Sequence, residues 1–74
     1  MEHSPPDKKK LIAARIREIR NKKGWSQQQL ANLLDIEKKQ IWRVENGENY
    51  TIETLIRILD VFEMSLAEFF GGID

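Results

Sequence analysis

Apolar residues recur along this chain at helical intervals, and no segment alternates with the two-residue period of a strand. Ile12, Ile16 and Ile19 form an i, i+4, i+7 stripe, with Leu11 and Ala13 beside it. Lys8, Lys9, Lys10, Arg15, Arg17, Arg20, Lys22 and Lys23 fill most of the other positions, so the pattern predicts a helix over about 8–22, ended by Gly24. Ser26 followed by Gln29 is a capping signature. It opens a second helix carrying Leu30, Ala31, Leu33 and Leu34, and Trp25, just before the cap, suits a hydrophobic staple or a core position. A third helical pattern runs from Lys38 to Asn46 and stops at Gly47. Thr51 is an N-cap for a fourth over 52–62, whose apolar side is Ile52, Leu55, Ile58, Leu59 and Phe62. Ser65-Leu66-Ala67-Glu68 is a capping box for a short fifth helix over 66–70, closed by Gly71-Gly72. The expected class is all-α: a compact bundle of five short helices.

The second and third helices are separated only by Asp35, Ile36 and Glu37, and neither is long enough to stand alone in water. One face of each must be pressed against the rest of the chain, which leaves the opposite face available. In the third helix each residue advances about 100°. Ile41 and Val44 define the buried direction; Lys39 and Asn46 then point almost directly away, Trp42 and Arg43 lie on the far half, and Lys38 sits at the flank. An indole among solvated cations wants an apolar or stacking partner.

Composition narrows the possibilities. Seventy-four residues allow one domain, read here as residues 8–74 behind a tail at 1–7, in which Ser4 or Asp7 caps the first helix. There is no cysteine, no apolar run long enough to span a bilayer, and no apolar signal segment in MEHSPPDKKK, so the expected compartment is the cytoplasm. The formal charge is zero but unevenly spread: residues 1–23 sum to +5, residues 24–43 to +1 and residues 44–74 to −6. That layout allows one cationic face on a neutral protein. A single histidine, His3, in the tail and the lack of a phosphate-cradling glycine loop argue against an enzyme or a cofactor. Metal ligands of suitable type and spacing are missing as well.

The stretch resembles the helix-turn-helix of the lambda-repressor-like (Cro/Xre-type) DNA-binding family. The resemblance is carried by Arg15-Ile16-Arg17-Glu18-Ile19-Arg20, Gly24-Trp25-Ser26-Gln27, Leu30-Ala31, Ile41, Val44-Glu45-Asn46-Gly47, Ile52-Glu53-Thr54-Leu55 and Ser65-Leu66-Ala67-Glu68-Phe69-Phe70. It implies that Ala31 sits where helices 2 and 3 cross, and that Ile36, Ile41 and Val44 lock the recognition helix in place. It also implies a structural salt bridge between Arg20 and Glu45. Two departures stand out: Asp35 replaces the glycine that members usually carry at the helix 2–3 turn, and Glu63 replaces a common glycine after helix 4. The loop after helix 3, Gly47-Glu48-Asn49-Tyr50-Thr51, also lacks the basic residues many relatives use on phosphates, and Glu48 and Glu53 oppose an anion there.

The resemblance implies sequence-specific binding of double-stranded DNA by a transcriptional regulator, with helix 3 in the major groove. Lys39 and Arg43 are the expected readers of guanine O6 and N7. Lys38 is placed to reach a base or phosphate, Trp42 a thymine methyl or the sugar backbone, and Asn46 shares the same surface. Gln27 matches a phosphate-contacting position, and Ser26 and Gln28, with residues 49–51, supply helix N-termini for phosphate. A homodimer on a two-fold operator is expected, joined through the C-terminal region of Phe62, Met64, Phe69 and Phe70, each of which by itself suits the monomer's core better than an interface. Small members of the family include phage repressors, antitoxins and restriction–modification controllers. The alternative is a protein-interaction module or antitoxin-like partner that keeps the fold with weak DNA binding, which the zero net charge and the acidic loop favour.

Overall fold

The computed structural model describes residues 8–48 and 50–73. They form α1 (Lys8–Lys22), α2 (Gln27–Leu34), α3 (Lys38–Glu45), α4 (Ile52–Phe62) and α5 (Leu66–Phe70). The expected tail at 1–7, with the Ser4 or Asp7 cap and His3, lies outside the described residues, as does Asn49 of the phosphate-contact candidates. Asn46 falls just beyond α3 rather than inside it, as the residue that follows the last helical turn.

The starts of α2, α4 and α5 have a local cause in a side-chain cap, while α3 begins after Glu37 without one. Ser26 accepts from the Gln29 N–H while the Ser26 N–H donates to Gln29 Oε1, and Ser65 and Glu68 repeat the same reciprocal pair. Thr51 accepts from the Thr54 N–H. Among the described residues, α1 to α4 end on one device, while α5 closes on a right-handed Gly71. The chain turns left-handed at Gly24, Asp35, Gly47 and Glu63, at φ of 76°, 57°, 73° and 58°. The next amide then reaches back five residues: Trp25 to Arg20, Ile36 to Ala31, Glu48 to Arg43 and Met64 to Leu59. These are the six-to-one bonds that satisfy orphan carbonyls at a helix end. The two expected glycine substitutes, Asp35 and Glu63, therefore hold the conformation that glycine would.

One core unites the helices. Ile16 and Ile19 of α1, Leu30, Ala31 and Leu34 of α2, Ile41 and Val44 of α3, Leu55, Ile58, Leu59 and Phe62 of α4 and Phe69 of α5 are buried together. Burying each large side chain stabilises the fold by about 1.5–3 kcal/mol. Ile36, Trp25 and Tyr50 pack against its rim, and the Trp25 ring lies 6.2 Å from that of Phe62. α5 is only five residues long and is fastened from outside: Arg15 Nε donates to the Phe69 carbonyl at 3.2 Å, and its guanidinium lies over the Phe69 ring and against Gly72.

The structure corrects four apolar assignments. Leu33 and Ile52 are 53% and 68% exposed, so neither belongs to the buried side of its helix. Ile52 is the first residue of α4 and projects past the edge of the core. Phe62 and Phe69, nominated for a dimer surface, are 2% and 0% exposed and fill the monomer's own interior. These two rings hold α4 and α5 to the bundle, so they are not available to a partner. Phe70, Ile56 and Leu66 carry the exposed apolar surface instead, with Met64 partly buried.

Candidate nucleic-acid interface

α3 is held by both of its inner edges. Ile41 and Val44 are 0% and 2% exposed, while Lys38, Lys39, Gln40, Trp42, Arg43 and Asn46 are exposed. The helix therefore presents its cations and its indole to solvent, with Trp42 at 49% exposure. Gln40 belongs to this surface although the sequence reading did not nominate it. The same 100° geometry places it at the flank opposite Lys38, and that signal was available.

Glu45, the last residue of α3, is 1% exposed and fixes the helix electrostatically. Its Oε2 accepts from Arg20 Nε at 2.5 Å, and its Oε1 accepts from Arg20 Nη2 at 3.0 Å and from Gln27 Nε2 at 3.1 Å. Arg20 also donates from Nη1 to the Trp25 carbonyl at 2.7 Å. Arg17, half-exposed, donates to the Glu45 carbonyl at 2.7 Å. A buried ion pair is tolerable only when its remaining donors and acceptors are satisfied, and no buried side-chain polar atom among the described residues lacks a partner. The network ties α1, the start of α2 and the end of α3 into one unit, which sets the angle at which the outer face is offered.

The other nominated residues are less free than their sequence positions imply. Gln27 is partly buried and spends its amide on Glu45. Gln28 donates to Asn32 Oδ1 at 2.9 Å, and Asn46 Nδ2 donates back to the Trp42 carbonyl at 2.7 Å. Arg17 and Lys10 line a shallow cleft with Asn46, extending the cationic surface from α3 onto α1. A second cleft, of about 270 Å³, lies on the other side of α3, lined by Gln40, Arg43, Tyr50, Thr51, Thr54 and Arg57 among others. Partial burial there raises the Tyr50 phenol above its ordinary value, so it stays a neutral hydroxyl. Arg57 donates to the Leu34 carbonyl and so braces α4 against the end of α2. Arg17 and Arg57 were missed because only the meeting of helices in space assigns them these contacts. Among the described residues no group of His, Cys, Asp and Glu side chains could hold a metal ion, and no helix is long and apolar enough to cross a membrane.

Residues 16–69 match the family model described as helix-turn-helix. The chain is 34% identical over 60 residues to an HTH-type transcriptional regulatory protein of Pyrococcus abyssi, covering 80% of this chain and 19% of that protein. It thus spans about a fifth of the length of that relative. Among solved structures it is similar to the restriction–modification controller protein C.AhdI of Aeromonas hydrophila, with a TM-score of 0.78 and 26% identity over 85% of this chain and 97% of that one. It is also similar to the controller protein C.Esp1396I, whose tetramer is known in complex with its natural 35 base-pair operator. There the TM-score is 0.77 and the identity 31%, over 85% and 84% of the two chains.

Proposed function

This chain belongs to the Cro/Xre-type helix-turn-helix family of transcriptional regulators, and from that premise we propose that it binds double-stranded DNA sequence-specifically through the outer face of α3. The observation that carries the reading is the orientation of that helix: Ile41 and Val44 buried, Lys38, Lys39, Trp42, Arg43 and Asn46 exposed. Lys39 and Arg43, one turn apart, address guanine edges in the major groove, and Trp42 lies against a thymine methyl or a deoxyribose. Lys38 serves the phosphates, joined by Gln28 and Gln27 where DNA draws their amides from Asn32 and Glu45. Residues 8–74 would act as one DNA-binding domain, by binding rather than by catalysis, in the cytoplasm.

A homodimer on a two-fold operator completes the proposal, because one module this small buries too little DNA for useful affinity. The C-terminal helices are the proposed interface, through Met64 and Phe70 with Ile56 and Leu66 beside them. The operator-bound tetramer of C.Esp1396I is a precedent for assembly in a similar protein.

Selection of bound duplexes from a random library tests both halves. Two copies of one half-site at a fixed spacing of about one helical turn are expected, whereas recovery of unrelated sequences would remove the specific-binding reading. One observation favours the second reading, an interaction module that keeps the fold with weak DNA binding: Glu48 lies 3.9 Å from Arg43 and partly neutralises the cationic face.

A further inference from the structure

The α3 terminus places an acid beside the foremost base-reading candidate, and the backbone dictates that placement. Gly47 turns left-handed at φ 73°, where its α-carbon faces Lys10 of α1 so closely that a Cβ would lie 3.1 Å from Lys10 Cγ. A larger residue at that position is therefore opposed by both conformation and space. The turn carries the Glu48 N–H back to the Arg43 carbonyl at 2.9 Å. The Glu48 carboxylate then comes to lie 3.9 Å from Arg43 Nε, with both side chains about half-exposed.

An exposed pair of this kind contributes little to folding, but it constrains a side chain that otherwise samples many rotamers. A guanidinium is a rigid planar fork with five donors. At 3.9 Å the carboxylate attracts the guanidinium from the Nε side without a hydrogen bond, which leaves the Nη1 and Nη2 donors for guanine O6 and N7. Orienting the fork before DNA arrives removes part of the ordering that binding otherwise demands. The same negative charge repels phosphates on every sequence, so it lowers general affinity.

We propose that Glu48 is a positioning residue for Arg43, trading general affinity for discrimination at the base pair that Arg43 reads. The inference rests on the proposed DNA-reading role of α3, and the experiment separates the two. Wild-type protein, Glu48→Ala, Glu48→Gln, Arg43→Ala and the Arg43→Ala/Glu48→Ala double variant are titrated against the selected operator, its single-base-pair substitutions and random duplex. The thermal midpoint of each variant shows that it folds. Glu48→Ala is expected to bind random duplex more tightly, yet to lose roughly three- to tenfold of the discrimination at one base pair, a fraction of what a whole arginine contact supplies. Glu48→Gln, which keeps a polar oxygen without the charge, should fall between Glu48→Ala and wild type. In the Arg43→Ala background, removing Glu48 should leave preference at that base pair unchanged.

Equal tightening on every duplex with discrimination intact would reduce Glu48 to a simple repulsive charge and overturn the inference. Preference at that pair that still depends on Glu48 without Arg43 would overturn it too, by making the carboxylate itself the reader. If wild-type protein shows no preference for any duplex, the DNA-reading role of α3 fails first and takes the inference with it.

Discussion

Asp35 and Glu63 sit at φ 57° and 58°, a conformation that costs most L residues about 1–2 kcal/mol and costs aspartate less. Asp35 is exposed and its side chain makes no hydrogen bond or ion pair that substitution would remove. Asp35→Gly should raise stability by up to about 1 kcal/mol, the relief of strain being offset in part by the freer unfolded chain. Asp35→Val should lower it. Urea midpoints of the two variants moving in the same direction would contradict the strain account. Glu45 is the opposite case, a charge whose every neighbour depends on it. Glu45→Ala leaves Arg20 buried without its carboxylate, and breaking such a pair is destabilising by roughly 3–5 kcal/mol, to be measured by chemical denaturation. The Arg20–Glu45 pair was legible through the family resemblance, and the left-handed turn at Asp35 through the glycine it replaces. The arrival of Gln27 and Arg17 at the same glutamate was not, because each is separated from it by many residues and chosen only by how α1, α2 and α3 cross.

Helix limits were readable because caps are local chemistry: Ser26 with Gln29, Thr51, and Ser65 with Glu68 each act within three residues. Which apolar residue is covered is a different kind of fact. Periodicity marks Ile52, Leu33, Phe62 and Phe69 alike, yet only the packing of neighbouring helices decides that the first two face solvent and the last two fill the core. α3 escapes this ambiguity since Ile41 and Val44 are its only aliphatic residues, and its outer face follows from them. Replacing Arg43 on that face with alanine should cost about 1–3 kcal/mol of operator affinity and relax preference at one base pair. Titration against single-base-pair variants checks this, and a uniform loss would make Arg43 a phosphate contact. At the other end of the chain, hydrogen bonds from the Ser65 backbone and hydroxyl hold the Glu68 carboxyl below its ordinary value. A depressed folded value means a contribution present above the unfolded value near 4.5 and lost as pH falls through the folded one. The α5 capping box should therefore loosen in acid, seen as a lower protection of the Ser65 amide relative to its unstructured exchange rate at the same pH, and Glu68→Gln should remove that pH dependence.

For the molecule as a whole, the zero net charge conceals a basic first helix and an acidic last third. Arg17 and Lys10 extend the cationic surface of α3 onto α1, whereas Glu53, Asp60 and Glu63 lie exposed on or just after α4. Affinity for random duplex should fall linearly on a logarithmic scale as salt rises, with a slope near −0.9 for each phosphate neutralised. A slope close to zero would shift the balance to the interaction-module reading. The proposed dimer is tested at this scale as well: sedimentation at high micromolar concentration should report two copies, and Leu66→Glu should return the protein to one while leaving its helices intact. Which C-terminal apolar residues remain exposed was beyond the sequence, since Phe62 and Phe69 carry the same apolar signal as Phe70 and Leu66. The two tryptophans, finally, divide the molecule's fluorescence between two events. Trp25 leans on Phe62 at the edge of the core, while Trp42 stands half-exposed among the cations of α3. Unfolding should change the emission of the first, and duplex should shield the second from acrylamide. A Trp25→Phe variant would then serve as a label-free titration probe, and Trp42→Phe as a reporter of folding alone.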